Sequence, residues 1–227
     1  MIRAAGAMDG SREAQLALGE LSERYWFPIY AFVRRREADA QRAEDLTQGF
    51  FCELIEKDEL ARVDRQRGRF RSFLLTALRH YMVRQKEHAG ALKRGGAHSV
   101  LSLDRTQGES RLAWAADEGL TPEEAFERDW AVCQLEAAMA RLQAEYEGSG
   151  RGQLFEALRP WLAGQPEQDQ ASLAQDLGMQ PGALKVALHR LRQRMGLAVR
   201  AEVAETVEGP AEVDEELALL FRALSGP

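Results

Sequence analysis

The amino-acid sequence predicts an all-α protein made of two helical domains joined by a linker. Three observations lead there. Apolar residues recur with helical spacing almost throughout, no alternating β-branched run is long enough for a strand, and no Asn-Gly or Asp-Gly hairpin signal occurs. The periodicity fails over Arg94–Gly119, which opens on Gly95-Gly96 and is rich in small and polar residues.

The first domain is expected over residues 1–95. Phe50, Phe51, Leu54 and Ile55 form one apolar stripe, and Phe70, Phe73, Leu74, Ala77, Leu78 and Tyr81 form another. Between the stripes lies Arg65-Gln-Arg-Gly-Arg-Phe-Arg-Ser-Phe, where arginines surround Gly68 and two phenylalanines. Arginine and aromatic planes stack on exposed bases while guanidinium groups hold phosphate. Phe70 and Phe73, at i and i+3, read first as core residues.

The linker is expected over 96–120. Thr121 then offers an N-cap, with Pro122 at the first helical position and Glu124 completing a capping box. A helical domain should follow over 121–200, interrupted by a short loop at Glu147-Gly148-Ser149-Gly150. Leu154, Leu158, Trp161 and Leu162 supply one apolar face of this domain.

Ser172–Arg194 has the spacing of a helix-turn-helix. Ala174 lets two helices approach, Gly178 supplies a turn at positive φ, and Leu173, Leu177, Leu184 and Leu188 face inward. Pro181 suits the start of the second helix, which carries Lys185, His189, Arg190, Arg192 and Arg194 and no acid among them. Such a helix can place some side chains on base edges and others on phosphates. Lys185, His189 and Arg192 share the expected reading face, with Arg190 and Arg194 round the helix toward the phosphates.

Residues 201–227 form an acidic extension. Val213, Leu217, Leu220, Phe221 and Leu224 suggest an amphipathic helix with an acidic outer face. It is expected to cap the second domain, with screening of the basic helix as the alternative.

Charge follows this division. The net charge is −6, yet residues 1–96 carry +4 and 171–200 carry +4, whereas 97–170 carry −8 and 201–227 carry −6. Two basic islands among acidic stretches suit a polyanion held at two points. An enzyme is disfavoured. The four histidines lack metal-ligand spacing, the two cysteines form no CxxC, and neither a phosphate-binding glycine loop nor a nucleophile elbow is present. No metal or cofactor is expected. Cys52 and Cys133 read as small core residues. With no membrane span and no signal peptide, the chain is expected to be soluble and cytoplasmic.

The segments AEDLTQGFFCELI, RGRFRSFLLTALRHYMVRQ and SLAQDLGMQPGALKVALHRLRQR, in this order, resemble bacterial RNA polymerase sigma factors of the extracytoplasmic-function type. The first two resemble sigma domain 2 and the third sigma domain 4. The resemblance implies a non-enzymatic specificity subunit. Its partners would be core RNA polymerase and promoter DNA, both double-stranded and melted, with room for an anti-sigma factor. Glu44, Asp45, Gln48 and Phe51 would bind core polymerase. The loop Glu59–Arg69 would capture a base of the −10 element, assigning Arg65, Arg67, Arg69, Arg71, Phe73, Arg79, His80 and Arg84 to −10 DNA. Lys185, His189, Arg190, Arg192 and Arg194 would meet the −35 element. Two positions depart from the family pattern. His80 stands where Asn is frequent, and Gln180-Pro181 stands where Ser-Glu is commoner. The alternative is a helix-turn-helix regulator that does not bind core polymerase, which would have no need of the Arg-rich loop. An adaptor that binds no DNA would have no need of the basic islands.

Overall fold

The computed structural model describes residues 12–56, 69–91, 119–164, 166 and 168–225. Among them eight α-helices and one 3₁₀ turn occur and no strand. The helices are α1 (Arg12–Arg34), α2 (Ala40–Glu56), α3 (Phe70–Ala91), α4 (Pro122–Gly148), α5 (Gly152–Leu158), α6 (Gln170–Asp176), α7 (Pro181–Ala204) and α8 (Pro210–Ser225). The chain divides into two compact units. One comprises residues up to Cys133 together with Ala204–Pro227, and the other is Gln134–Val203.

The first unit is built around α1. Tyr25, Ile29, Tyr30, Phe32 and Val33 are buried, as are Phe50, Phe51 and Leu54 of α2 and Phe70, Leu74, Leu78 and Tyr81 of α3. Both apolar stripes therefore face one core. Phe73 and Ala77 are half-buried at its margin. Pro28 brings no N–H to the α1 ladder, a cost of about 3 kcal/mol in a helix interior. Its neighbours from Tyr25 to Val33 are almost all buried, so packing holds the helix through this position. Asp39 starts α2, its Oδ1 accepting from the amides of Gln41 (2.8 Å) and Arg42 (3.2 Å).

The expected capping box at α4 forms. Thr121 N–H donates to Glu124 Oε2 at 2.8 Å, and Glu124 N–H donates to Thr121 Oγ1 at 3.2 Å. The Thr121 N–H bond, joined by one from Thr121 Oγ1 to Glu124 Oε2 at 2.7 Å, holds the Glu124 carboxyl below its ordinary range. The expected domain boundary at residue 121 is displaced, however. The first three turns of α4 belong to the first unit, where Phe126 and Trp130 enter the core. Trp130 stacks on Tyr25 at 4.4 Å, and Phe126 meets Phe32 edge-on at 5.9 Å. Two large aromatics at i and i+4 find a deeper site among the rings of α1 than solvent offers.

The second unit collects Leu142, Tyr146, Phe155, Leu158, Leu173, Ala174, Leu184, Leu188 and Leu191 into one core. The loop after α4 is a Schellman end. Gly150 (φ +69°) follows the helix, its N–H donating to Glu147 O (2.9 Å), while Arg151 N–H donates to Tyr146 O (2.8 Å). Gly178 (φ +61°) ends α6 in the same way, with bonds from Gly178 N–H to Gln175 O and from Met179 N–H to Ala174 O. Asp169 caps α6 through Ser172 N–H at 2.8 Å, which lowers the Asp169 carboxyl pKa. Cys133 is buried and Cys52 half-buried, so both sit at or beside packed surfaces.

The extension departs most from expectation. Helix α8 does form, but it belongs to the first unit. Val213 and Leu220 are buried, and so is Glu216, whereas Phe221 is exposed. The acidic face is thus not wholly outward. Glu216 turns inward because Arg71 waits there, and a buried carboxylate needs such a partner.

Candidate nucleic-acid interface

Helix α2 carries the residues expected at a polymerase contact. Asp45 is exposed, and Glu44 and Gln48 are half-buried on the same polar side. Gln48 Nε2 donates to Glu44 Oε1 and Gln41 Nε2 to Asp45 Oδ1, both at 3.4 Å. Phe51 does not join this face. It is 1% exposed, packed edge-on against Phe50, and can offer a partner nothing without unpacking the core.

The side of α2 that carries Gly49 and Glu53 is tied to α3. Arg84 pairs with Glu53. Gly49 lies under the Tyr81 hydroxyl, so closely that a Cβ at 49 would stand 2.3 Å from Tyr81 Oη. Burial, then the charges of Glu53 and Cys52, push the Tyr81 pKa up to about 12 against the opposing charge of Arg84.

The residues assigned to −10 DNA meet different fates. Arg65 and Arg67 lie outside the described residues. His80 and Arg79 are exposed on α3, and Arg84 is half-buried. Arg79 Nη2 donates to Glu123 Oε1 at 2.7 Å, the same oxygen that takes Arg36 Nη2 at 2.6 Å. Desolvation raises the Glu123 pKa, but these two guanidinium bonds outweigh it and hold the carboxyl below its ordinary value.

Arg71 is corrected from an open contact to a buried one. Its Nε donates to Glu216 Oε1 (2.9 Å) and its Nη1 to Glu127 Oε1 (2.5 Å). Desolvation disfavours the guanidinium charge, yet the Glu216 bond and the charges of Glu216 and Glu127 overcome it, so the Arg71 pKa is raised. Arg69 reaches Glu215 Oε2 at 2.7 Å and lies 3.1 Å from Glu216 Oε2. Sequence reasoning missed these carboxylates. Their signal was the acid run Asp214-Glu215-Glu216 in a helix with inward apolar residues, but nothing local says which arginine they meet.

In the second unit, α6 and α7 are joined by the turn at Gly178. Leu184, Leu188 and Leu191 are buried, while Lys185, His189, Arg190 and Arg192 are exposed. Lys185, His189 and Arg192, at i, i+4 and i+7, share a solvent face of α7. Arg194 differs. It is half-buried, 3.5 Å from Glu145 and over the Tyr146 ring at 5.5 Å from the centroid. It therefore braces α7 on α4 and is not poised as an open phosphate contact.

Residues 21–91 match the family model described as Sigma-70 region 2. The matched stretch lies within the first unit and spans α2, α3 and the second half of α1. No curated protein and no solved structure gives a significant match. No helix among the described residues is long and apolar enough to cross a membrane.

Proposed function

We propose that this chain is a sigma factor of the compact extracytoplasmic-function type that binds core polymerase and two promoter elements. The observation that carries the reading is the pairing, in one chain, of a region 2 domain over residues 21–91 with a helix-turn-helix whose second helix exposes Lys185, His189, Arg190 and Arg192. A regulator that ignores core polymerase has no use for the first of these.

In this reading the polar side of α2, centred on Asp45 with Glu44 and Gln48, docks on core polymerase. Helix α3 with His80, Arg79, Arg84 and half-buried Phe73 meets the −10 region, joined by Arg69 and the Arg-rich segment before it. The domain 4 role falls to Gln134–Val203, with α7 in the major groove of the −35 element. Electrostatic attraction supplies affinity, and side chains on base edges supply selectivity.

The test is reconstitution. The purified chain should co-elute with core RNA polymerase and direct initiation from a discrete set of promoters in a genomic transcription assay. Asp45→Arg should abolish co-elution with the circular dichroism spectrum unchanged. A folded parent chain that neither co-elutes nor initiates would refute the proposal.

A further inference from the structure

Helix α8 occupies the anion-attracting features at the start of α3. Arg69 points its Nη2 at Glu215 and its Nε at Glu216, and Arg71 spends Nε on Glu216 and Nη1 on Glu127. The N-terminal amide of α3, Phe70 N–H, donates to Thr206 O at 3.1 Å, just before α8. A helix N-terminus carries partial positive charge and favours phosphate, and a guanidinium edge fits a carboxylate and a phosphate by the same fork. One edge cannot serve both at once. The segment that supplies these carboxylates carries net −6 over residues 201–227.

The two ion pairs are not equivalent. Arg71 and Glu216 are buried together, their side chains 9% and 4% exposed. Glu215 is 70% exposed, and Arg69 remains 24% exposed. The Arg69–Glu216 approach is an ion pair by distance but lacks hydrogen-bond alignment, since Glu216 Oε2 accepts no aligned donor. The exposed Arg69–Glu215 pair gains little in water, and the misaligned approach to Glu216 adds no hydrogen bond, so Arg69 is open to exchange for a stronger polyanion. The same arginine stands at the end of the Arg-rich segment expected to meet the −10 DNA.

We propose that α8 is an intramolecular latch that competes with promoter DNA for Arg69 and Arg71, so that the chain alone holds its region 2 domain in a DNA-refractory state. The proposal rests on the reading that this part of region 2 contacts DNA. Displacement of α8 frees the Arg69 guanidinium, the Nε edge of Arg71 and the α3 N-terminus together, because α8 carries both Glu215 and Glu216 and Thr206 lies just ahead of it, while Arg71 Nη1 stays on Glu127 of α4.

The test is a titration of the full-length chain with a short, random-sequence single-stranded DNA pool, read by fluorescence anisotropy between about 50 and 200 mM salt. Glu215→Gln with Glu216→Gln should tighten binding about fivefold and steepen the salt dependence by about one unit, as released arginines displace counterions from DNA. Glu208→Gln with Glu212→Gln, the same change in charge on neighbouring residues, should tighten it by less than about twofold. A gain no larger than this control overturns the latch. Glu215→Gln alone, at an exposed site that does not threaten the fold, should give a smaller gain in the same direction, and no gain at all counts against the proposal.

Arg69→Gln separates the latch from the reading beneath it. It should weaken DNA binding strongly in the Glu215→Gln, Glu216→Gln background and little in the parent. Equal weakening in both backgrounds refutes the latch and leaves the DNA contact standing. No effect in either background refutes the DNA contact at this position and the latch with it.

Discussion

Gly49 shows how one residue fixes the spacing of two helices. Replacing an interior helical glycine with alanine ordinarily gains up to about 1 kcal/mol. Here the new Cβ would meet Tyr81 Oη at 2.3 Å, while the next nearest atom, Tyr81 Cζ, is at an ordinary 3.5 Å. The clash belongs to the hydroxyl alone, on a ring buried against Phe50. Gly49→Ala should therefore destabilise the first unit by about 1–3 kcal/mol, the usual cost of overpacking. In the Tyr81→Phe background the same substitution should be neutral or stabilising. Urea denaturation of the four proteins of this cycle measures the difference, and equal effects in both backgrounds would show that Oη is not the obstacle.

Glu123 gives a residue-scale pH dependence. Its folded pKa is depressed by Arg79 and Arg36 after opposing desolvation, so its contribution is complete above the ordinary carboxyl value of 4.5. That contribution fades as pH falls through the lower folded value, where protonation releases both guanidinium groups. The melting temperatures of the parent and Glu123→Gln should differ at neutral pH and converge in acid below that range. Parallel curves from pH 7 to pH 3 would contradict it.

At the scale of the element, α7 carries two kinds of arginine that look alike in the sequence. Arg192 is exposed beside Lys185 and His189, whereas Arg194 is half-buried against Glu145 and Tyr146. A lost base contact costs about 1–3 kcal/mol and relaxes preference at one position. Lys185→Ala and Arg192→Ala should thus alter the preferred −35 sequence in a promoter-library selection. Arg194→Ala should instead lower the melting temperature and leave the preferred sequence and the salt slope of DNA binding unchanged. A reduced salt slope for Arg194→Ala would return it to the phosphate contacts.

At the scale of the whole molecule, the C-terminal helix completes the first unit. Val207, Val213 and Leu220 are buried, each contributing about 1.5–3 kcal/mol if fully removed from water. Removing residues from Glu205 onward should speed hydrogen exchange in α1 and α3 while leaving α6 and the first half of α7 unchanged. Faster exchange confined to α6 and α7 would place the helix with the second unit instead. Stabilising the unit and competing for its arginines are compatible roles, since the apolar contacts and the exposed Arg69–Glu215 pair are separate parts of one element.

What the sequence determined by itself is local or periodic. The stripes of α2 and α3, the capping box at Thr121, the turns at Gly150 and Gly178 and the exposed basic face of α7 all rest on spacings of three or four residues or on one glycine's positive φ. Such features are set by the geometry of a single helix or turn. Tertiary structure alone decided the rest. Phe51, on the apolar stripe yet at i+3 from Gln48 and i+7 from Glu44, is closed to a partner by its packing in the core. Trp130 drew the first turns of α4 into the core of the first unit because Tyr25 offers it a stacking partner 105 positions away in the chain. Arg71 and Glu216 met across a still longer separation, and a buried charge accepts only a partner that the packed fold can bring to it.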